Sequence, residues 1–436
     1  MNDTTRSTNI STQLRRIAEQ AKREPSLVFT TLAHRMDVDC LREAYRRLRK
    51  GAAPGISGVT AKEYGKDLEA NLQDLHARLK GLSYTAPMIK RVWIDKDKGK
   101  KRPIGLSETE DKIVQKAVTM WMGAVYEQDF HPFSYGFREN KSAHEAIREI
   151  RANCMEQNIG WIYDADIQGY FDNIDRKWLR SFIKQRVNDG GLLRLIGKWL
   201  NAGVLDGEQI TYSEKGTPQG GIVSPLLANI YLHHVLDDWF EREVKPRMRG
   251  RCFIVRFADD FVIGCEREDD AKRIADILPK RFERFGLTIH PQKSRLLSFG
   301  KPASSKEVTR GDNTFDFLGF THYWARSRNG SWVIKRKTAR KKVRETVQAL
   351  WVWCRNNRHQ DLVKQHRILC SKLRGHFQYF GVRCNIRAMD AVLYHAKRGW
   401  KFWLNRRSSK KALNWEKFRV LLESMPLPTP KIIHSM

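Results

Sequence analysis

Apolar positions along this chain change their period near residue 325. Before it, helical and alternating patterns intermix. Residues 1–50 read as polar helix ending in the basic run REAYRRLRK, and GAAPGISGVT (51–60) is a glycine-rich turn. A short strand pair, Met88 to Ile94 and Ile104 to Leu106, flanks the lysine-rich tip DKDKGKKRP. Between 108 and 128, Ile113, Val114, Ala117, Val118, Trp121 and Met122 fall on one helix face. Ser142-Ala143-His144-Glu145 has the form of a capping box opening the next helix. A strand, WIYDADI (161–167), precedes a helix-rich stretch to about 206 and the turn GTPQGG (216–221), which starts a helix from Pro225 to Glu243. The hairpin FIVRFADDFVIG (253–264) comes next, then a helix from Asp269 to Gly286, a strand LTIH, the turn PQKS and an apolar hairpin, TFDFLGFTHY (314–323). Beyond about 325 the reading is helices alone, with Val343, Val347, Leu350, Trp351 and Cys354 forming one stripe. Mixed elements followed by helices predict an α+β body carrying an all-α domain.

Charge sharpens this division. The 436 residues hold 80 Lys plus Arg against 49 Asp plus Glu, a formal net charge of +31. From Ser331 onward there are 25 basic residues and five acids (Glu345, Asp361, Asp390, Glu416, Glu423). Self-repulsion on this scale costs stability without a partner, and a polyphosphate supplies one by releasing counterions. None of the seven cysteines forms a C-x-x-C pair, which reads as reduced, mostly buried thiols and no structural zinc. The N-terminus lacks the apolar core of a secretory signal, and no run of about 18 apolar residues predicts a membrane span.

Candidate chemistry starts at Asp259-Asp260. Of three Asp-Asp pairs, Asp237-Asp238 reads as a polar helix face, and Asp269-Asp270 as a helix start where acids suit the dipole. Asp259-Asp260 instead sits between Phe253-Ile254-Val255 and Phe261-Val262-Ile263. Two carboxylates in a tight turn between buried strands repel and cost desolvation, and a divalent cation relieves both. Asp166, ending the strand WIYDADI, supplies a carboxylate from a separate element, as two-metal phosphoryl transfer with ions roughly 4 Å apart requires. Asp164, on the same strand face, is a rival ligand, and Asp172 reads as a cap of the following turn. In GTPQGG, Gly216, Gly220 and Gly221 allow close backbone approach, and Gln219 can donate to a base or a phosphate.

In this order, DIQGYFD, TPQGGIVSPLLANIYL, RFADD, HPQKS and FDFLGF resemble the successive palm motifs of reverse transcriptases. GAAPGISGVT, KKRPIGLSETEDKIVQKAV and FSYGFRENKSAHEAI resemble the fingers of the group II intron branch. SKLRGHFQYFGVRCNIRAMD and KFWLNRRSSKKALNWEKF resemble its thumb and maturase region, so the resemblance spans roughly residues 35 to 436. It implies a right-hand polymerase, with fingers and an antiparallel palm sheet followed by an all-α thumb/maturase domain. The implied divisions are a partly helical extension (1–35), fingers and palm (36–325), a basic helical thumb/maturase (326–420) and a tail (421–436). The paired cysteines and histidines of the family's nuclease domain do not occur, so no endonuclease domain is expected, and intron mobility would draw its primer from a replication fork or a nick.

The implied activity is RNA-directed DNA polymerase together with intron RNA binding as a maturase in splicing and mobility. Asp166, Asp259 and Asp260 become the catalytic metal triad for two Mg2+, with Mn2+ as substitute. Phe171 falls at the steric gate against a ribose 2′-hydroxyl, although an ordinary core phenylalanine has the same signature. Arg102 falls where a fingers residue grips the triphosphate, and Lys293 where the family places a lysine near the active site, with a proton-donor role or an exposed turn as its readings. Arg336, Lys341, Lys342, Arg374, Arg383, Arg387, Arg406, Arg407 and Lys410 are the nucleic-acid-binding candidates, since a thumb tracks backbone phosphates. The implied partners are group II intron RNA, an RNA template with a DNA primer, dNTPs and target DNA, in a bacterial cytoplasm and at the nucleoid, with dimerisation open. One departure from the family is Phe257, where tyrosine is common. Three other readings stand beside this one: a reverse transcriptase recruited to antiphage defence or CRISPR adaptation, a polymerase-dead splicing factor, and an RNA-dependent RNA polymerase.

Overall fold

A computed structural model describes residues 3–95, 101–213, 215–217, 220–302, 313–407 and 413–435. The chain divides into two compact units. One comprises Met1–Ser142, Ala165–Phe261 and Asp269–Arg295; the other comprises Ala143–Asp164, Val262–Glu268 and Leu296–Met436. The strands, in chain order, are β1 (Ile89–Asp95), β2 (Lys101–Leu106), β3 (Trp161–Asp166), β4 (Val204–Asp206), β5 (Gln209–Thr211), β6 (Cys252–Phe257), β7 (Asp260–Cys265), β8 (Arg295–Ser298), β9 (Phe315–Phe317), β10 (Phe320–Arg326) and β11 (Trp332–Thr338).

The first unit is organised around the helix Thr109–Asp129. Its expected apolar face is fully buried, and burial extends beyond one edge of that face to Asp111, Gln115 and Tyr126. Helices Asp3–Arg23 and Val38–Arg46 pack on it. The buried Asp111 carboxylate is saturated by donors, the Tyr84 hydroxyl (2.6 Å), the Trp199 indole (2.6 Å) and the Gln115 amide (2.7 Å). A charge buried in a helical core needs such partners. β1 and β2 pair antiparallel from Lys90↔Leu106 to Asp95↔Lys101, within a sheet of order β2-β1-β4-β5.

The second sheet has the order β6-β7-β3-β8. β6 is buried from Cys252 to Arg256 without alternation, as expected of a strand covered on both faces. Ala258-Asp259 joins it to β7, and Ala258 takes φ +58°, a left-handed conformation uncommon without glycine.

In the second unit β9, β10 and β11 form an antiparallel sheet of order β11-β10-β9, followed by helices Arg340–Asn356, Leu362–Phe380, Ile386–Leu404 and Trp415–Ser424. The expectation of helices alone beyond about 325 therefore fails for β11. Its alternation is real, with Trp332, Ile334, Arg336 and Thr338 buried, but the charges of Lys335, Arg336 and Lys337 hide it.

His322 on β10 is fully buried and stacks on Phe315 with ring centroids 4.7 Å apart. Neither ring nitrogen has a hydrogen-bond partner among the described residues. Burial, aided by the Arg336 charge, pushes its pKa from 6.5 down to about 3. The unfolded chain therefore binds a proton that the fold refuses, and stability falls as pH drops from 6.5 toward 3. Between pH 6.5 and 5 this amounts to about 2 kcal/mol. The variant His322→Phe keeps a stacked ring and should flatten the acid limb of a calorimetric stability profile. An unchanged slope in that window would contradict the assignment.

Candidate active site

β3 ends at Asp166, and the β6–β7 turn presents Asp259 and Asp260. Strand order places β7 and β3 side by side. The chain around Asp166 is tied to the HPQKS turn: His290 N–H donates to the Asp166 carbonyl (2.8 Å), Gln168 N–H to the Thr288 carbonyl (2.8 Å), and Asp166 N–H to Ser294 Oγ (3.2 Å). This docking brings the Lys293 ammonium onto the Asp166 carboxylate.

The charges around Asp259 act on it in opposite directions. The Asp259 carboxyl is pushed above its ordinary pKa first by burial and then by the Asp166 charge, against the pull of its own backbone N–H, Arg102 and Lys293. Asp260 is exposed at the start of β7. Carboxylate oxygens alone are hard donors, the set that Mg2+ or Mn2+ takes and that softer ions do not need. A part-buried carboxylate facing another is what a divalent cation stabilises, so the residues present fit such an ion.

The glycine turn closes one side. Thr217 N–H donates to the Phe171 carbonyl (2.8 Å). A Cβ on Gly216 would lie 2.7 Å from that same oxygen, and one on Gly220 would lie 2.2 Å from the Gly105 carbonyl of β2. Both glycines also have positive φ (+81° and +111°), so a side chain at either is excluded twice. Phe171 is part-exposed rather than a fully buried core residue. Arg102, exposed on β2, has its charge within reach of Asp259. Gln219 lies outside the described residues. The helix after the Asp172 turn, Arg176–Lys184, is capped by Asp175, which accepts from Lys177 N–H (2.8 Å) and Trp178 N–H (3.0 Å).

The cationic candidates of the second unit separate by burial. Lys341, Lys342, Arg374, Arg383, Arg387, Arg406 and Arg407 are exposed, and Lys410 lies outside the described residues. Arg336 is corrected: only 2% exposed, it faces inward from β11 and donates to the Ile147 carbonyl (3.4 Å), so its charge is not offered to a phosphate backbone.

A second correction exposes a support that sequence reasoning missed. Asp237 is not on a polar helix face; it is fully buried and paired with Arg256, itself fully buried in β6. Arg256 donates to Asp237 (Nε to Oδ1 2.8 Å, Nη2 to Oδ2 2.5 Å), Asn229 Oδ1 (3.0 Å), Ser134 Oγ (2.7 Å) and the Ala258 carbonyl (3.0 Å). All five guanidinium donors are thereby used. The last bond holds the residue before Asp259. Behind it, Gly136 fits so tightly that a Cβ there would lie 2.2 Å from Ala258 N. The available signal was an arginine inside an apolar strand, which demands a buried acid.

Comparison with known proteins agrees with this arrangement. Residues 94–322 match the reverse transcriptase (RNA-dependent DNA polymerase) family. Protein YkfC of Escherichia coli is 33% identical over 286 residues, covering 58% of this chain and 75% of that protein. The group II intron-encoded protein LtrA of Lactococcus lactis subsp. cremoris is 33% identical over 301 residues, covering 66% of this chain and 49% of LtrA. A nuclear intron maturase 3 of Arabidopsis thaliana is 28% identical over 217 residues, covering 43% of this chain and 30% of the maturase. No helix among the described residues is long and apolar enough to cross a membrane. The chain belongs to the reverse transcriptase family, and its similarity runs to the group II intron-encoded reverse transcriptases and intron maturases.

Proposed function

We propose that this protein is an RNA-directed DNA polymerase with Asp166, Asp259 and Asp260 as its metal ligands, and that it also binds intron RNA as a maturase. The observation that carries the polymerase reading is that Asp166 ends β3, part-buried Asp259 lies in the turn before the neighbouring β7, and Lys293 sits on Asp166. Residues 36–325 are read as fingers and palm of a right-hand polymerase, and 326–420 as a thumb/maturase region. Two Mg2+ ions at the triad would activate the primer 3′-hydroxyl and neutralise the charge developing on the triphosphate.

The protein groups then have distinct tasks. Asp166 and Asp259 approach from separate elements and fix the direction of attack on the α-phosphorus. The oxygen–phosphorus bond to primer forms as the bond to pyrophosphate breaks. Arg102 grips the triphosphate by charge. Lys293, held on Asp166, is the proton donor to the departing pyrophosphate in this reading. The Phe171 ring, next to the glycine turn, excludes a 2′-hydroxyl and selects deoxynucleotides. The exposed cations of the second unit track phosphates of a heteroduplex or of folded intron RNA. Arg387, with Lys337, Arg340 and Arg344, lines an open cleft beside Tyr323 and Trp351.

Primer extension on an RNA template with dNTPs against NTPs tests this reading. Phe171→Ala should retain extension while discrimination against NTPs falls roughly 10–100-fold, the scale on which a pocket rejects one added hydroxyl. Unchanged discrimination would return Phe171 to a packing role.

A further inference from the structure

Three side chains that polymerisation does not use converge behind the catalytic turn. His131 follows the helix Thr109–Asp129; His233 and Asp238 lie on the helical segment that continues Ser224–Leu232. One nitrogen of each imidazole and one carboxylate oxygen of Asp238 lie within 4.8 Å of one another. His131 Nε2 is 2.7 Å from Asp238 Oδ1, and His233 Nε2 is 3.6 Å from Oδ2.

The backbone is built to make this cluster. In a regular α-helix, residues five apart point about 140° away from each other. Over His233–Asp237 the helix instead takes π geometry, with Asp238 N–H bonded to the His233 carbonyl. The additional residue in that turn brings positions 233 and 238 to one side. Such turns sacrifice hydrogen-bond geometry and concentrate at functional sites. Rings wall the cluster: Phe133 stacks on His131 at 4.9 Å, and Phe130 meets His233 edge-on at 5.6 Å. The His233 side chain is 6% exposed, while those of His131 and Asp238 are 20% and 21% exposed, leaving one open side.

We propose that His131, His233 and Asp238 form a binding site for Zn2+ or a first-row ion of similar preference, separate from the carboxylate triad. Two imidazoles and one carboxylate suit zinc and not Mg2+, which takes oxygen ligands. Zinc bond lengths place tetrahedral ligand atoms about 3.3 Å apart. Asp238 meets His131 through Oδ1 at 2.7 Å and His233 through Oδ2 at 3.6 Å, and one nitrogen of each imidazole lies within 4.8 Å of the other, so loading turns the carboxylate and draws the two rings together. The proton shared by His131 and Asp238 leaves as the ion enters. Arg242 Nε, 3.8 Å from Asp238 on a side chain that is 77% exposed, turns to solvent. Water takes the fourth position through the open side.

The role is mechanical. Arg138 donates to the carbonyls of His131 and Ser134 (both 2.8 Å), and Ser134 receives Arg256. An ion joining His131 to the helix therefore braces the loop on which the Ala258-Asp259 turn rests.

The test uses full-length protein stripped with chelator and supplied with excess Mg2+ to occupy the carboxylate triad. Co2+ is titrated by its visible absorption, then displaced by Zn2+ with stoichiometry read by calorimetry. Wild type is compared with Asp259→Asn, His131→Gln and Asp238→Asn. One equivalent with tetrahedral bands is expected in wild type and Asp259→Asn, with at least a tenfold loss of affinity in both site variants. Zn2+ should also raise the melting temperature of wild type and not of His131→Gln. Because His131 is at the rim, the variants keep the fold, checked by circular dichroism; if one does not, the other decides. No stoichiometric uptake by folded wild type, or uptake that persists in both site variants as an adventitious ion, would overturn the proposal.

Discussion

Replacing Asp259 with asparagine should stop primer extension and at the same time make the metal-free protein more stable. The activity loss is expected on the order of 10³-fold or more, the scale for removing one charge stabiliser in phosphoryl transfer. The stability gain follows from the cost that the ionised carboxyl bears, partly buried and facing Asp166. Its raised pKa means that the fold holds the proton more tightly than the unfolded chain does. The ionised group is thus destabilising above the folded pKa, and the penalty disappears below the unfolded one. Asparagine removes the charge at neutral pH and keeps the shape. Scanning calorimetry in chelator should show a higher melting temperature for Asp259→Asn than for wild type. Mg2+ should then raise the wild type more than the variant. A variant less stable than wild type in chelator would mean that the carboxylate is better satisfied than its surroundings indicate.

Asp237→Ala should have the largest effect on stability, about 3–5 kcal/mol, since it leaves the fully buried Arg256 guanidinium without its carboxylate. Denaturant unfolding measures this. The damage should reach the active site, because Arg256 also holds the Ala258 carbonyl and Ser134. Extension by the folded fraction is expected to fall well below wild type even under stabilising conditions. A loss under about 1 kcal/mol, typical of an exposed pair, would show that the pair is hydrated.

Much of this architecture is legible in the chain. The β6–β7 hairpin could be read because apolar β-formers flank its acids, and the helix Thr109–Asp129 because its buried face keeps a regular period. The HPQKS turn announces itself by proline and polarity, but its bond to Asp166 joins positions 127 residues apart and has no local signature. Charged residues misled in both directions. Asp237 looks solvated because it adjoins Asp238, yet its partner lies 19 positions later inside an apolar strand. β11 hides behind Lys335, Arg336 and Lys337, two of which point outward while the third is buried. The π turn at His233–Asp237 has no period that a helical wheel can register, so the meeting of His233 with Asp238 emerges only from the folded backbone.

The most direct measurement gives purified full-length protein a poly(rA) template, an oligo(dT) primer, dTTP and Mg2+, beside Asp166→Asn. Wild type is expected to extend the primer until chelator is added, and the variant to leave it unextended. A folded wild type that binds the primer–template but adds no nucleotide with Mg2+ or Mn2+ would contradict the polymerase assignment, and the chain would stand as an RNA-binding splicing protein that keeps its acids without using them.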